Sequence, residues 1–359
     1  MRSADDLFRG RLVMAPMARG TDLPFRRLAA EWGCEVAVSE MAWAHKVVRR
    51  DRAEMALLRR HPEERAFGVQ LAGKDPATMA EAARIAEGGG ADFVDVNVGC
   101  PADDVTRRGF GAALLERASR VAAIVAAMKA AVAVPVTVKL RLGWSNEKPT
   151  FLKVAFAARE AGVDAVVLHP RSRMQRYRRP ADWSAVRDLV AAVPLPVVGN
   201  GDVMTWRDAL RRREETGCAA VMVGRWALAK PWIFREHAER RDILPGAEER
   251  LAVVRRYAEL CRDLFRDDEK GRGRTRRFLT FHQDFFRRFR RGAGLDAVNS
   301  DDPREWGEPP GGELEEWLCR GDVRATEALC RWLVDGEPPV PPPPADPDAP
   351  RAVLVETLG

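Results

Sequence analysis

Eight short apolar runs recur along the first two thirds of the chain, at 12–18, 36–41, 67–73, 92–98, 136–142, 165–169, 196–199 and 219–224. Together they are rich in valine, and each is of strand length and nearly free of polar alternation. That is the pattern of strands buried on both faces, as in a parallel sheet covered by its crossover helices. The intervening segments supply the helices. Asp75-Pro76 opens 76–88 with a capping carboxylate and a first-turn proline, and 116–131, 150–161, 182–192, 205–216 and 231–241 have helical length with alanine- or charge-rich character. Gly162 and Gly217 stand where helices should stop.

Eight strand-and-helix alternations within about 240 residues match a (β/α)8 barrel, which takes about 250. The predicted fold is therefore α/β, a TIM barrel. A doubly wound sheet is the alternative, but its glycine fingerprint should follow the first strand, where this chain has Met14-Ala15-Pro16-Met17. Past residue 245 the valine-rich strands cease. The segments 247–266, 275–291 and 313–334 read as helices, with a Gly/Pro/Asp-rich loop at 292–312. The expected organisation is a barrel over 1–242, a small all-helical domain over 243–335 and an extended proline-rich tail over 336–359.

Composition adds little to that picture but excludes some functions. The chain has 359 residues, 46% of them hydrophobic, enough to bury a large core. Its formal net charge of +6 suits an anionic partner, yet 31% charged residues of both signs also describe an ordinary surface. The six cysteines form no CxxC pair and no zinc-type Cys/His spacing, so no metal site is expected, and reduced thiols fit a cytoplasmic protein. The first eleven residues carry two adjacent aspartates and no apolar core, unlike a signal peptide. The one nearly apolar stretch, Val121 to Val138, is interrupted by Lys129 and Pro135 and reads as a buried helix entering a strand. Neither a membrane nor a protein partner is implied.

In a TIM barrel the chemistry sits at the carboxyl ends of the strands. The run at 92–98 leads into Gly99-Cys100-Pro101, which places a thiol at the rim, where a chemical role competes with that of a small buried hydrophobe. Lys139 and Arg141 are two residues apart near a strand end and point to the same side, facing a ligand if that side is the mouth. Without an acidic residue between them they repel each other, and an anionic ligand relieves the repulsion. His169 and Arg171 repeat the spacing one strand later. The last two strands run into Gly199-Asn200-Gly201-Asp202 and Gly224-Arg225, the two loops that commonly form a phosphate site in such barrels.

At these residues the chain resembles the tRNA-dihydrouridine synthases. The resemblance rests on six motifs in order: Met14-Ala15-Pro16-Met17, Gly68-Val69-Gln70-Leu71, Asn97-Val98-Gly99-Cys100-Pro101, Val138-Lys139-Leu140-Arg141, Gly199-Asn200-Gly201-Asp202 and Gly224-Arg225. It spans about residues 10–290, and 92–95 with 275–279 look closest to the type-3 branch. The resemblance implies an FMN-bearing barrel in which NADPH reduces the flavin, hydride passes to C6 of a uracil in tRNA, and Cys100 protonates C5. By the same resemblance Pro16, Met17 and Gln70 line the isoalloxazine, Lys139 meets its N1/O2 edge and His169 lies toward the phosphate. Asn200, Gly201, Asp202, Gly224 and Arg225 hold the ribityl and phosphate groups, and Asn97, Arg141 and Arg171 lie within reach of the uridine. His169-Pro170-Arg171 departs from the family's usual His-Gly-Arg, since proline removes a donor and fixes φ.

Beside the resemblance, the helix at 275–291 places Phe278, Phe281, Phe285 and Phe289 on one face, expected as core, at about 100° per residue. Arg276, Arg277, Arg287, Arg288, Arg290 and Arg291 share an adjoining arc, and Arg287, Arg288 and Arg291 are expected to track tRNA phosphates. Two rivals remain open: a flavin-dependent barrel acting on a free small molecule, and an inactive barrel that only binds RNA. The arginine-faced helix speaks against the first. Cys100, Lys139 and His169 together speak against the second.

Overall fold

The structure, a computed structural model, describes residues 2–290 and 308–341. The described chain divides into two compact units, one formed by the residues up to Leu23 with Cys34–Gly224, the other by Pro24–Gly33 with the chain from Arg225 onward. The expected boundary at 242/243 is thus displaced to 224/225. The helices Arg225–Ala229 and Ile233–Glu239 fall in the second unit, whose early segment Pro24–Gly33 no composition shift marks in the sequence.

The first unit is a closed barrel of parallel strands. These are β1 (Leu12–Met14), β2 (Val36–Val38), β3 (Ala42–Trp43), β4 (Ala66–Ala72), β5 (Phe93–Val98), β6 (Val136–Arg141), β7 (Ala165–His169), β8 (Val197–Asn200) and β9 (Ala220–Val223). Pairing of β1 with β9 and of β2 with β4 closes a ring of eight, and each neighbour is parallel. The run expected as one strand at 36–41 is interrupted. Ser39 turns its hydroxyl to accept the backbone N–H of Gln70 at 3.1 Å, and the strand resumes as β3 beside the end of β4.

Side chains two apart along a strand share a face, and the inward series here changes character with height. Val13, Val36, Ala66, Phe93, Ala165, Val167, Val198, Ala220 and Met222 form one apolar cluster with Ala4, Leu7 and Phe8 of the helix Ala4–Phe8. Phe8 meets Phe93 edge to face at 5.2 Å. Continuing the same faces upward brings Gln70, Asp95, Asn97, Lys139, Arg141, His169 and Asn200 toward the carboxyl ends. The apolar layers supply the burial, and the polar layer above is held on the strands that this burial fixes.

The outer helices agree with the sequence reading within about two residues, which is the ordinary uncertainty of helix ends. Asp75 caps Pro76–Gly88 by accepting from Thr78 N, and Gly217 ends Trp206–Thr216 in the left-handed region at φ 71°. In the second unit, Ala247–Phe265 stands as expected, whereas the next helix runs Glu269–Phe286 rather than 275–291. Asp268 caps it early, and Gly271 lets it start there, since a Cβ at that residue would lie 2.0 Å from the carbonyl oxygen of Arg266. The segment expected as one helix at 313–334 splits into Glu313–Cys319 and Val323–Asp335, because Asp322 accepts from Ala325 N and starts a new helix. Arg291, most of the loop at 292–312 and the tail beyond 341 lie outside the described residues. Among the described residues no helix is long and apolar enough to cross a membrane, and no cluster could hold a metal ion.

Candidate active site at the barrel mouth

At the top of β4 and β5 a buried chain of amides and a carboxylate is built from residues that the period of two turns inward. Gln70 Nε2 donates to Asp95 Oδ2 at 2.7 Å and Asn97 Nδ2 donates to Gln70 Oε1 at 2.7 Å. Thr137 Oγ1 donates to the other oxygen of Asp95 at 2.6 Å. Burial raises the pKa of Asp95, and the two donated hydrogen bonds work in the opposite direction. Asp95 and Thr137 were missed as site residues in the sequence. Their signal is the alternation itself, since Asp95 is two residues before Asn97 and Thr137 two before Lys139.

Asn97 also shapes the turn that carries the thiol. Its Oδ1 accepts the N–H groups of Gly99 at 3.2 Å and Cys100 at 2.9 Å, fixing the chain where it leaves β5. Cys100 is partly buried, and burial pushes its thiol pKa up, keeping sulfur protonated at neutral pH. The Gly109–Gly111 stretch folds back beneath it: Ala112 N donates to Cys100 O at 3.0 Å, and a Cβ at Gly111, whose φ is +56°, would meet that oxygen at 2.7 Å.

Lys139 reaches across the inside. Its Nζ donates to Asn200 Oδ1 at 3.1 Å, which only an inward orientation allows, because β7 stands between their two strands. Asn200 is itself pinned by donating to Met222 O at 2.9 Å. Burial, then the charge of Arg141, lowers the ammonium pKa from 10.5 to about 8. Arg141 thus acts on Lys139 with the expected sign, and the nearby Asp95 carboxylate opposes it. Arg141 is buried as well, with Nη1 donating to the carbonyls of Ser172 and Arg176, both at 3.1 Å, and its guanidinium over the Tyr177 ring at 5.4 Å. Its observed work is to hold the loop after β7.

Two expectations need correction. Arg171, expected near a substrate, is fully buried. Its Nη2 donates to both oxygens of Asp202 at 2.6 and 2.7 Å, its Nε to Arg179 O at 2.6 Å, and its Nη1 lies 3.1 Å from His169 Nε2. Asp202, expected among the cofactor contacts, is the anion of that pair and also accepts from Ala181 N. A carboxylate so committed is the wrong charge for a phosphate, and the pair instead orients His169. Pro170 makes this possible: Arg171 N donates to His169 O at 2.8 Å, a three-residue turn that suits the fixed φ of proline.

The glycines of the last two loops have different reasons. Gly199 is required by close approach, since a Cβ would enter the Trp183 ring at 2.3 Å, and Gly201, at φ +124°, has its carbonyl held by Trp183 Nε1. At Gly224 a Cβ would meet only Met17 Sδ at 3.6 Å and Ala15 Cβ at 3.9 Å, so the backbone there has room beside it. Met17 is half-buried beside that space, and Pro16, its neighbour in the chain, is half-buried as well. Arg225 falls in the second unit, at the start of its own helix.

Arg287 and Arg288 are also corrected. Rather than lying on an exposed face, they are 6% and 4% exposed and share the carboxylate of Asp284, Arg287 at 2.6 Å and Arg288 at 3.0 Å. Gly321 leaves the room, for a Cβ there would strike the Arg287 guanidinium at 2.5 Å. The sequence signal is Asp284, three and four residues before them on one helix. Phe281, Phe285 and Phe289 are core as expected, and Phe278 is half-buried.

A closed parallel barrel that gathers a thiol, a desolvated lysine and an amide–carboxylate network at its carboxyl mouth has its chemistry where TIM-barrel enzymes have theirs. The chain belongs to the dihydrouridine synthase family, whose model, described as Dihydrouridine synthase (Dus), matches residues 13–295. It is 40% identical over 297 residues to a tRNA-dihydrouridine(47) synthase [NAD(P)(+)] of Cryptococcus neoformans var. neoformans serotype D (strain B-3501A), covering 78% of this chain and 41% of that protein. It is 39% identical over 283 residues to the Homo sapiens protein named tRNA-dihydrouridine(47) synthase [NAD(P)(+)]-like, covering 78% and 43%. The chain thus spans about two fifths of the length of these curated relatives. Among solved structures, a 2-naphthoyl-CoA reductase complex shares the fold with a TM-score of 0.52 at 14% identity, covering 64% of this chain and 50% of that one.

Proposed function

We propose that the barrel mouth binds FMN, takes electrons from NADPH and reduces a uridine of tRNA to 5,6-dihydrouridine, with Cys100 as proton donor. The observation that carries this reading is the pairing of a protonated thiol and a buried lysine with a neutral hydrogen-bond acceptor, in a chain of this family. The residues fit such a cofactor. Lys139 is a desolvated cation that an anionic ring edge would stabilise, and the backbone at Gly224 has room for a group beside Met17 and Ala15. Bound there, the flavin supplies the hydride that uracil C6 receives.

The chain's own residues do the rest. Cys100 Sγ gives its proton to C5, a task for a thiol whose pKa is raised, not lowered as for a nucleophile. Gln70, held by Asp95, keeps Asn97 in place, and Asn97 in turn fixes the Cys100 backbone. Arg171 and Asp202 set the orientation of His169 toward the cofactor.

The test is to load the protein with FMN, add NADPH and an unmodified tRNA transcript, and map dihydrouridine by sequencing. The relatives' names make position 47 the first to inspect. Failure to take up FMN, or a flavin-loaded protein that leaves every uridine intact, would overturn the reading.

A further inference from the structure

The thiol-bearing loop is held at its far side by groups that belong to other strands. Asp103, three residues after Cys100, opens the helix Asp103–Thr106. One of its carboxylate oxygens pairs with Arg173 Nη2 and the other lies 3.4 Å from Arg176 Nη2. Both arginines come from the loop after β7. That loop is itself secured from β6, because Arg141 Nη1 donates to the carbonyls of Ser172 and Arg176. Arg176 presents its carbonyl from a left-handed backbone at φ +50°, a conformation disfavoured for a residue with a side chain and kept where surroundings enforce it.

Arg173 is fixed independently of Asp103. Its guanidinium lies over the Trp144 ring at 4.6 Å and its backbone N–H donates to Gly143 O at 2.9 Å. On the opposite side Lys74 Nζ donates to Arg108 O at 3.1 Å, while the Arg108 guanidinium sits over Trp43 at 4.9 Å. The loop over 100–112 is therefore pinned at Asp103 from β6 and β7, and at Arg108 from β3 and β4.

We infer that Asp103 is a positioning residue for Cys100, and that Arg173 and Arg176 are its anchors. The inference rests on the reading that Cys100 Sγ is the proton donor. Asp103 touches neither substrate nor cofactor in this scheme. It sets where the sulfur stands, and a displacement of about 1 Å at a reacting group costs on the order of a hundredfold in rate.

The experiment uses the full chain loaded with FMN and reduced by NADPH, mixed rapidly with tRNA transcript while flavin reoxidation is followed. Asp103→Asn should reoxidise about ten- to a hundredfold more slowly at saturating tRNA, with the half-saturating tRNA concentration, flavin content and rate of reduction by NADPH unchanged. Iodoacetamide alkylation of Cys100, read by mass spectrometry, should change rate in the same variant, the other five cysteines being buried. The double variant Asp103→Arg with Arg173→Asp should recover part of the loss. Unchanged reoxidation together with unchanged alkylation would overturn the inference, as would an equal loss of flavin content and of reduction by NADPH. Cys100→Ala run alongside separates the two claims. If that variant reoxidises normally, the acid assignment fails, and the alkylation rate alone then decides whether Asp103 positions this loop.

Discussion

Buried cations occur in both units, and their partners differ. At the barrel mouth Lys139 meets the neutral amide oxygen of Asn200, and burial beside Arg141 brings its pKa down to about 8. At the end of helix Glu269–Phe286, Arg287 and Arg288 close on the carboxylate of Asp284. In sequence the two places look alike, with basic residues clustered near the end of an element. A cation left with a neutral partner in a low-dielectric site is poised for an anion from outside. One with a built-in carboxylate is structure.

The comparison makes opposite demands of mutations in the two places. The largest effect is expected at the mouth: Cys100→Ala should slow dihydrouridine formation about a hundred- to ten-thousandfold while the protein melts as before, binds FMN and is reduced by NADPH. Normal dihydrouridine yield from that variant would remove the acid. Asp284→Ala should do the reverse, leaving two guanidiniums buried without their anion and destabilising the helical unit by about 3–5 kcal/mol in denaturant melts. A melt superimposable on the parent's would mean those arginines are not held as the geometry indicates.

Lys139 gives a subtler test, because its ionisation is linked to stability. Its folded pKa of about 8 lies below the 10.5 of an exposed lysine, so the charged form is penalised only when folded. The sign follows from proton counting: below about pH 8 both states hold the proton and the penalty is fully present. Between about 8 and 10.5 the folded state sheds it first, so stability from this group rises with pH. Without bound cofactor, Lys139→Met should be more stable than the parent at pH 7, with the gap closing as pH rises through that window. A gap that does not vary with pH would show that Lys139 is not desolvated. The smallest effect is expected at Arg276, whose side chain is 47% exposed beside Asp335. Arg276→Gln should cost at most about 0.5 kcal/mol in the same melts. A loss as large as that of Asp284→Ala would erase the distinction between exposed and buried arginines on this helix.

Much of the molecule was legible beforehand. The eight valine-rich runs predicted all eight strands of the ring, because burial on both faces leaves a local signature that needs no knowledge of neighbours. The period of two likewise put Lys139 and Arg141 on one face, and His169 and Arg171 repeat it. Asp95 stands two residues below Asn97, beneath the strand end where barrel chemistry is expected, so that rule does not reach it. Helix boundaries were less legible where a single cap decided them: Asp268 started one helix six residues early, and Asp322 divided another.

The barrel, its helices and the inward-facing side chains follow from periodicities of two and about 3.6 residues expressed within a few residues of chain. Side-chain partners, by contrast, are set by the closing of the ring. Lys139 finds Asn200 across 61 residues, Arg173 finds Asp103 across 70, and Arg171 finds Asp202 across 31. No local pattern carries such pairings, because they exist only once the ring closes and sets distant strand ends side by side. The same reason turned Arg287 and Arg288 of the expected arginine arc inward, while Arg276 and Arg277 stay exposed. Asp284 was near enough in the chain to be read, but the burial that gives its ion pairs their strength comes from packing that one helix cannot announce.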